Sequence, residues 1–199
     1  MSSLPVPPPF AELPSTYPVR IADHGDLQRS RLTVFFRLLL AIPHVVVLMF
    51  WGLAAYVVVF VAWIAGTILG RIPEGMHGFL EGFLRYNTSV TAYTRILSNP
   101  YPPFSGSSGS YTIDLEVDPP GPQSRLTIFF RGLLALPMLL IGYGVRLLAN
   151  VLTIAAWFAA LVLGSVPEGL QDTALWCLRY EQRVLGYLLF LTARYPGFS

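Results

Sequence analysis

Apolar residues fall into two long blocks along this chain, and each block sits in the same polar frame. A short alternating segment precedes it, and a Pro-Glu-Gly turn and an amphipathic stretch follow. In Tyr111–Asp118 the residues Tyr111, Ile113, Leu115 and Val117 alternate with Thr112, Asp114 and Glu116, the period of a half-buried strand. Tyr17, Val19 and Ile21 repeat that pattern, and Pro18 confines the segment to an edge or a strand start. Two such strands can pair with each other, and so small a sheet must rest on helices. The block Leu32–Leu69 holds one charge, Arg37. As one helix its length would be about 57 Å, against roughly 30 Å of hydrocarbon.

The frame repeats because the chain does. Ser30–Ser105 recurs as Ser124–Ser199 at a fixed offset of 94 residues, with 32 of 76 aligned positions identical. Both copies open Ser-Arg-Leu-Thr, continue Phe-Phe-Arg and end Tyr-Pro-x-Phe-Ser. The chain therefore divides into a Pro-rich, poorly ordered tail (1–16), repeat 1 (17–105), a Gly/Ser linker (106–110) and repeat 2 (111–199).

Two readings of each block compete. In one, an interfacial helix leads through Pro43 into one long crossing. In the other, a helical hairpin turns near Trp51-Gly52, and near Gly142-Tyr143-Gly144 in the second copy. Arg29, Arg31 and Arg37 lie at the start of the first block, and Arg71, Arg85 and Arg95 follow it. A hairpin keeps all of them in the cytoplasm, as the positive-inside rule prefers, and returns both strands to one face. The expectation is a mainly α integral membrane protein, a tandem pseudo-twofold repeat with four crossings. Ala62, Gly66 and Gly70, with Ala156, Ala160 and Gly164, form matching small-residue stripes through which the halves pack, or through which a homodimer forms.

After Pro73-Glu74-Gly75 and Pro167-Glu168-Gly169 a further helix begins in each copy. Over Met76–Leu97, Met76, Phe79, Leu80, Phe83 and Val90 form one stripe, with His77, Glu81, Arg85, Thr88 and Arg95 opposite. That pattern predicts a helix lying along the membrane surface. Its partner, about Leu170–Ala193, is greasier and sits deeper, as far as a fifth crossing.

Composition supports the membrane reading: 54% hydrophobic, 12% charged and a mean hydropathy of +0.57. A net charge of +2 argues against a nucleic-acid partner. The bases comprise 13 Arg and no Lys. One cysteine, Cys177, excludes an intrachain disulfide and a cysteine-rich metal site. There is no basic, apolar leader at the N-terminus, so the first block directs insertion.

Residues 31–44, the Trp63 region, Gly70-Arg71-x-Pro73, Arg85-Tyr86, Ala92-Tyr93 and Tyr101-Pro102-Pro103-Phe104 resemble a bacterial membrane family known as domain of unknown function 4389. The similarity spans both copies. In copy two, Met138, Ser165 and Gly197 replace His44, Arg71 and Pro103. The resemblance implies an architecture and carries no activity.

No phosphate-cradling loop, zinc spacing or nucleophile–base pair is present, so no catalytic, cofactor or metal residue is assigned. Arg37 and Arg131, inside their helices, are candidate lipid or partner contacts that snorkel to headgroups. Arg146 and Asn150 share a helix face with Gly142 and Thr153, a polar stripe that copy one lacks. They are the second pair of candidate lipid or partner contacts. Glu74 and Glu168 are expected to pair with Arg85 and Arg179. Glu74, His77 and Glu81 form the one cluster that an enzyme could use. The expected role is a non-enzymatic accessory or scaffold subunit of an assembly in the bacterial inner membrane, with membrane-protein partners and both termini cytoplasmic. Lipid or small-molecule handling between the repeats is the alternative.

Overall fold

A computed structural model describes residues 17–23 and 27–197. The Pro-rich tail, His24 and the last two residues lie outside the described residues. The elements are β1 (Val19–Asp23), α1 (Arg31–Leu69), α2 (Glu74–Thr94), β2 (Ile113–Val117), α3 (Arg125–Phe129), α4 (Arg131–Leu163) and α5 (Glu168–Leu188).

The two strands pair with each other, antiparallel, as their shared alternation predicts. Ile21 lies opposite Leu115, and these are repeat equivalents. The pseudo-twofold axis therefore passes between them. Val19, Ile21, Ile113 and Leu115 turn inward onto Leu80 and Leu84 of α2 and Leu175 and Leu178 of α5. Arg20 is paired on the outer face with Glu116 at 3.4 Å and Asp118 at 3.0 Å.

The hairpin expectation is corrected: α1 is one helix of 39 residues and α4 one of 33. Trp51-Gly52 and Gly142-Tyr143-Gly144 lie inside these helices. Pro43 and Pro137 are also interior, and neither ends its helix. Copy two differs in its opening turns, where α3 and α4 are separated at Phe130. The Phe129 carbonyl beside that break accepts a bond from Trp63 Nε1 at 3.3 Å. Both long helices are apolar enough to cross a membrane by length and composition, and little of either is buried. α5 ends at Leu188, and the greasy run after it is packed inside the protein, with Leu189, Phe190 and Leu191 buried. It is no fifth crossing.

The helices stack in order. α2 lies against α1 and β2, α5 lies against α4 and β1, and the backbone of neither long helix comes close to that of the sheet. From the sheet outward the layers are therefore the strands, then α2 with α5, then α1 with α4.

The small-residue stripes join the two halves, each against the opening of the other copy. Ala62 and Gly66 of α1 receive Ile128 and Ile72, while Ala156 and Ala160 of α4 receive Val34 and Val166. The third member of each stripe, Gly70 or Gly164, ends its helix at φ 72° or 75°, a left-handed conformation that glycine adopts without cost. The carbonyls of these two glycines then bind Gln123 N and Arg29 N, each at 2.9 Å. Both ends of each long helix are thus fastened to the other half. The Gly/Ser segment between the repeats is fastened too: Gly106 lies so close to Gly82 that a Cβ would collide with the Gly82 backbone.

Candidate functional site: buried arginines and a polar groove

Each amphipathic helix ends in a left-handed turn at a residue that is not glycine, Ile96 at φ 64° and Phe190 at φ 62°. Such a φ is uncommon for any side chain and rare for a β-branched one. Leu97 N bonds Ala92 O and Ile96 N bonds Tyr93 O; Leu191 N and Phe190 N repeat the pattern with Gly186 O and Tyr187 O. These are Schellman closures. The strain is held by an arginine from the long helix. Arg37 Nη1 donates to Tyr93 O (2.8 Å) and Ser98 O (3.0 Å), with its guanidinium 4.4 Å from the Tyr93 ring centre. Arg131 Nη1 does the same to Tyr187 O (2.8 Å) and Thr192 O (3.2 Å) over the Tyr187 ring.

Both arginines are only 2% exposed, so neither reaches a headgroup or a partner. The snorkelling expectation is corrected, for a geometric reason. Each side chain points along the seam toward a helix C-terminus, whose carbonyls and negative dipole end attract a cation. The copies differ in what completes the cap. Arg131 Nη2 reaches Gln123 Oε1 at 2.6 Å. Among the described residues Arg37 Nη2 is buried without a hydrogen-bond partner, because Arg29 occupies the position of Gln123 and binds Ile96 O and Leu97 O itself.

Along the α1–α2 seam, seven-residue steps from Arg37 reach His44 and Trp51. His44 Nδ1 meets the Tyr86 hydroxyl at 2.7 Å, and the imidazole stacks on Phe104 at 4.3 Å. Trp51 stacks on the other side of Tyr86 at 5.4 Å. Burial pushes the Tyr86 phenol up to about 12, with Tyr101 adding to the effect, so it stays protonated at neutral pH. In copy two, Met138 and Val145 take the places of His44 and Trp51 and pack as plain apolar residues.

Arg146 is where copy two carries its polar feature. A groove of about 490 Å³ opens between α2 of the first repeat and α4 and α5 of the second. Arg95 Nη2 donates to Glu181 Oε1 at 3.0 Å while its Nη1 lies 2.8 Å from Oε2, and the exposed Arg146 approaches the same carboxylate at 3.7 Å. Asn87, Thr91 and Gln182 complete the polar wall. Gln182 Oε1 is buried there without a hydrogen-bond partner among the described residues. Asn150 is exposed on α4 and does not line the groove. Sequence reasoning found Arg146 but missed Arg95 and Glu181, which lie 86 positions apart. Glu181 stands where copy one has Asn87, and that charge difference was the available signal.

The cluster singled out for an enzyme forms only in part. His77 Nδ1 lies 3.8 Å from Glu81, and Glu81 is 2.7 Å from Arg85. Arg85 also meets Asp114 at 3.3 Å, so Glu74 is not its partner, contrary to expectation. Among the described residues no three His, Cys, Asp or Glu side chains gather as a metal site. Cys177 is buried, and that burial raises its thiol above the ordinary range.

A sequence model described as a domain of unknown function (DUF4389) matches residues 31–106 and again 125–199. No curated protein and no solved structure matches the chain.

Proposed function

We propose that the chain, which belongs to the DUF4389 family, is a non-enzymatic scaffold or accessory subunit embedded in the bacterial inner membrane through α1 and α4. One observation carries this reading: the molecule buries several of its arginines and turns large apolar side chains outward. Arg37, Arg131 and Arg29 serve backbone carbonyls, and Arg85 and Arg95 serve carboxylates. Leu38 and Leu140, by contrast, are 77% and 76% exposed at the surface of the long helices. An apolar surface of that extent is expected to meet lipid or another membrane protein. Native mass spectrometry of protein extracted gently from its host tests the role. A stoichiometric second polypeptide is expected, and a lone chain would refute the subunit reading.

The groove favours a second reading, the binding of a lipid headgroup or small molecule between the repeats. Its cations outnumber its carboxylate, and among the described residues Gln182 Oε1 there has no donor. Replacing Arg146 by Leu would then release a bound lipid. Unchanged retention of that lipid in the variant would rule this reading out.

A further inference from the structure

We infer that the protein lies in one leaflet of the membrane, with α1 and α4 in the plane of the interface, and does not cross the bilayer. The inference rests on the membrane reading above and decides between two ways of satisfying it. The first observation is the layer order along the pseudo-twofold axis. At one end lies the sheet, its outer face carrying the exposed pairs Arg20–Glu116 and Arg20–Asp118. At the other end lie the long helices, with an apolar surface at Leu38, Met49, Leu53 and Phe60 of α1 and at Leu133, Leu140, Val151 and Val162 of α4. Polarity therefore changes along the axis, from a wet end to a greasy end. An axis standing on the membrane surface satisfies both ends. One lying in the bilayer midplane satisfies neither.

Length gives the same answer. Thirty-nine residues make α1 about 58 Å long. Fitting that into roughly 30 Å of hydrocarbon requires a tilt of about 60°, beyond the range of about 0–40° that crossing helices adopt. A crossing would also carry the sheet inside. Ala55, Val58 and Val59, from the middle of α1, share one core cluster with Ile21 and Leu115 at the centre of the sheet. Were α1 to cross, the sheet would sit near mid-depth with its outer-face charges, Arg20, Glu116 and Asp118, turned toward lipid, where charged side chains are costly. In the plane of the interface that outer face meets water. Charge fits as well: Arg31 and Arg71 at the two ends of α1, and Arg125 at the start of α3, are exposed and stand at headgroup level, where cations are held by anionic lipid.

The occupant of the greasy face is thus a single leaflet, entered to about 5–10 Å. Cysteines placed one at a time in the full chain with Cys177→Ala, at Phe36, Leu53 and Ile68, all exposed on α1, carry a bimane label in vesicles of phosphatidylethanolamine and phosphatidylglycerol. Quenchers attached at shallow and deep acyl positions then report depth. The three sites are expected at one depth, each quenched more by the shallow probe. Ser30→Cys and Arg71→Cys, at the two ends of α1, are expected to react with an impermeant maleimide from the same side. A profile with Leu53 deepest, or ends labelled from opposite sides, would show a crossing and overturn the inference while leaving the membrane reading intact. Labels that no lipid quencher reaches, in a chain that sediments as a dimer, would mean that a second copy covers the face, and would overturn it too. A chain that fails to bind vesicles at all removes the membrane reading itself.

Discussion

The two places where the halves meet are built from the same three repeat positions but not the same three residues. On one side Val34 and Val166 pack on Ala160. On the other Ile128 and Ile72 pack on Gly66. The second seat has given up a methyl at its floor and taken two on the side chains above. Close-packed interiors respond to changes of one methylene, so drift in one residue of a seat requires an answer in its neighbours. The two arginine caps show the opposite pattern. Arg and Tyr are retained in both, while the supporting residue has changed from Gln123 to Arg29. The duplication thus preserves the capping chemistry and lets volume be shared out locally.

The largest expected effect comes from removing a cap. Arg131→Met leaves Tyr187 O, Thr192 O and Gln123 Oε1 without their donor. Breaking a buried charged contact of this kind is expected to cost roughly 3–5 kcal/mol. Arg37→Met removes one bond fewer, and the arginine it replaces has two guanidinium nitrogens without a hydrogen-bond partner among the described residues. Its cost should be smaller by about 1–2 kcal/mol. Thermal unfolding in matched detergent checks the order, and a larger loss for Arg37→Met would mean that Gln123 is no support.

Next is the seat. An alanine Cβ at Gly66 would stand 2.8 Å from Ile72 Cδ1 and 3.1 Å from Ile128 Cδ1. Gly66→Ala alone should destabilise by about 1–3 kcal/mol through overpacking. Adding Ile72→Val and Ile128→Val reproduces the other seat and should recover most of the loss. If the triple variant melts lower than Gly66→Ala, the two seats are not interchangeable.

His44→Met would make the first seam resemble the second. It strands the Tyr86 hydroxyl, which now meets His44 Nδ1 at 2.7 Å, at a cost of about 1–2 kcal/mol. With Tyr86→Phe already present the same change should cost about 1 kcal/mol less. A double-mutant cycle measures that coupling, and additive losses would show that the bond contributes nothing.

Much of this architecture was legible in the sequence. Two matching strands with period two could satisfy each other, and they do. The small stripes are where the halves join. The hairpin was misread because the positive-inside rule counts arginines as though all were solvated. Arg29, Arg37 and Arg85 are buried, committed to carbonyls and carboxylates brought together by the fold, so they report capping and not topology. The partners of Arg37 lie 56 and 61 residues away, and nothing local in the sequence marks them. The groove was hidden for the same reason: its key pair, Arg95 and Glu181, belongs to different repeats.

The smallest expected effect separates the halves by pH. His77 of α2 has Gln171 as its counterpart, whose Nε2 donates to Leu97 O at 2.9 Å. Burial holds the His77 imidazole below its ordinary 6.5, although the Leu191 carbonyl and Glu81 pull it upward. The folded state therefore favours the neutral ring. Above pH 6.5 that preference costs nothing, and as pH falls below it the unfolded chain takes up the proton first, so stability declines. Between about pH 7.5 and about pH 5.5 the melting temperature of the wild type should fall more than that of His77→Gln, the copy-two residue. Carboxylates common to both proteins cancel in that difference. Parallel curves would place the His77 ring in the same protonation balance folded and unfolded, and with it would go this proton-sensitive contrast between the two equivalent sites.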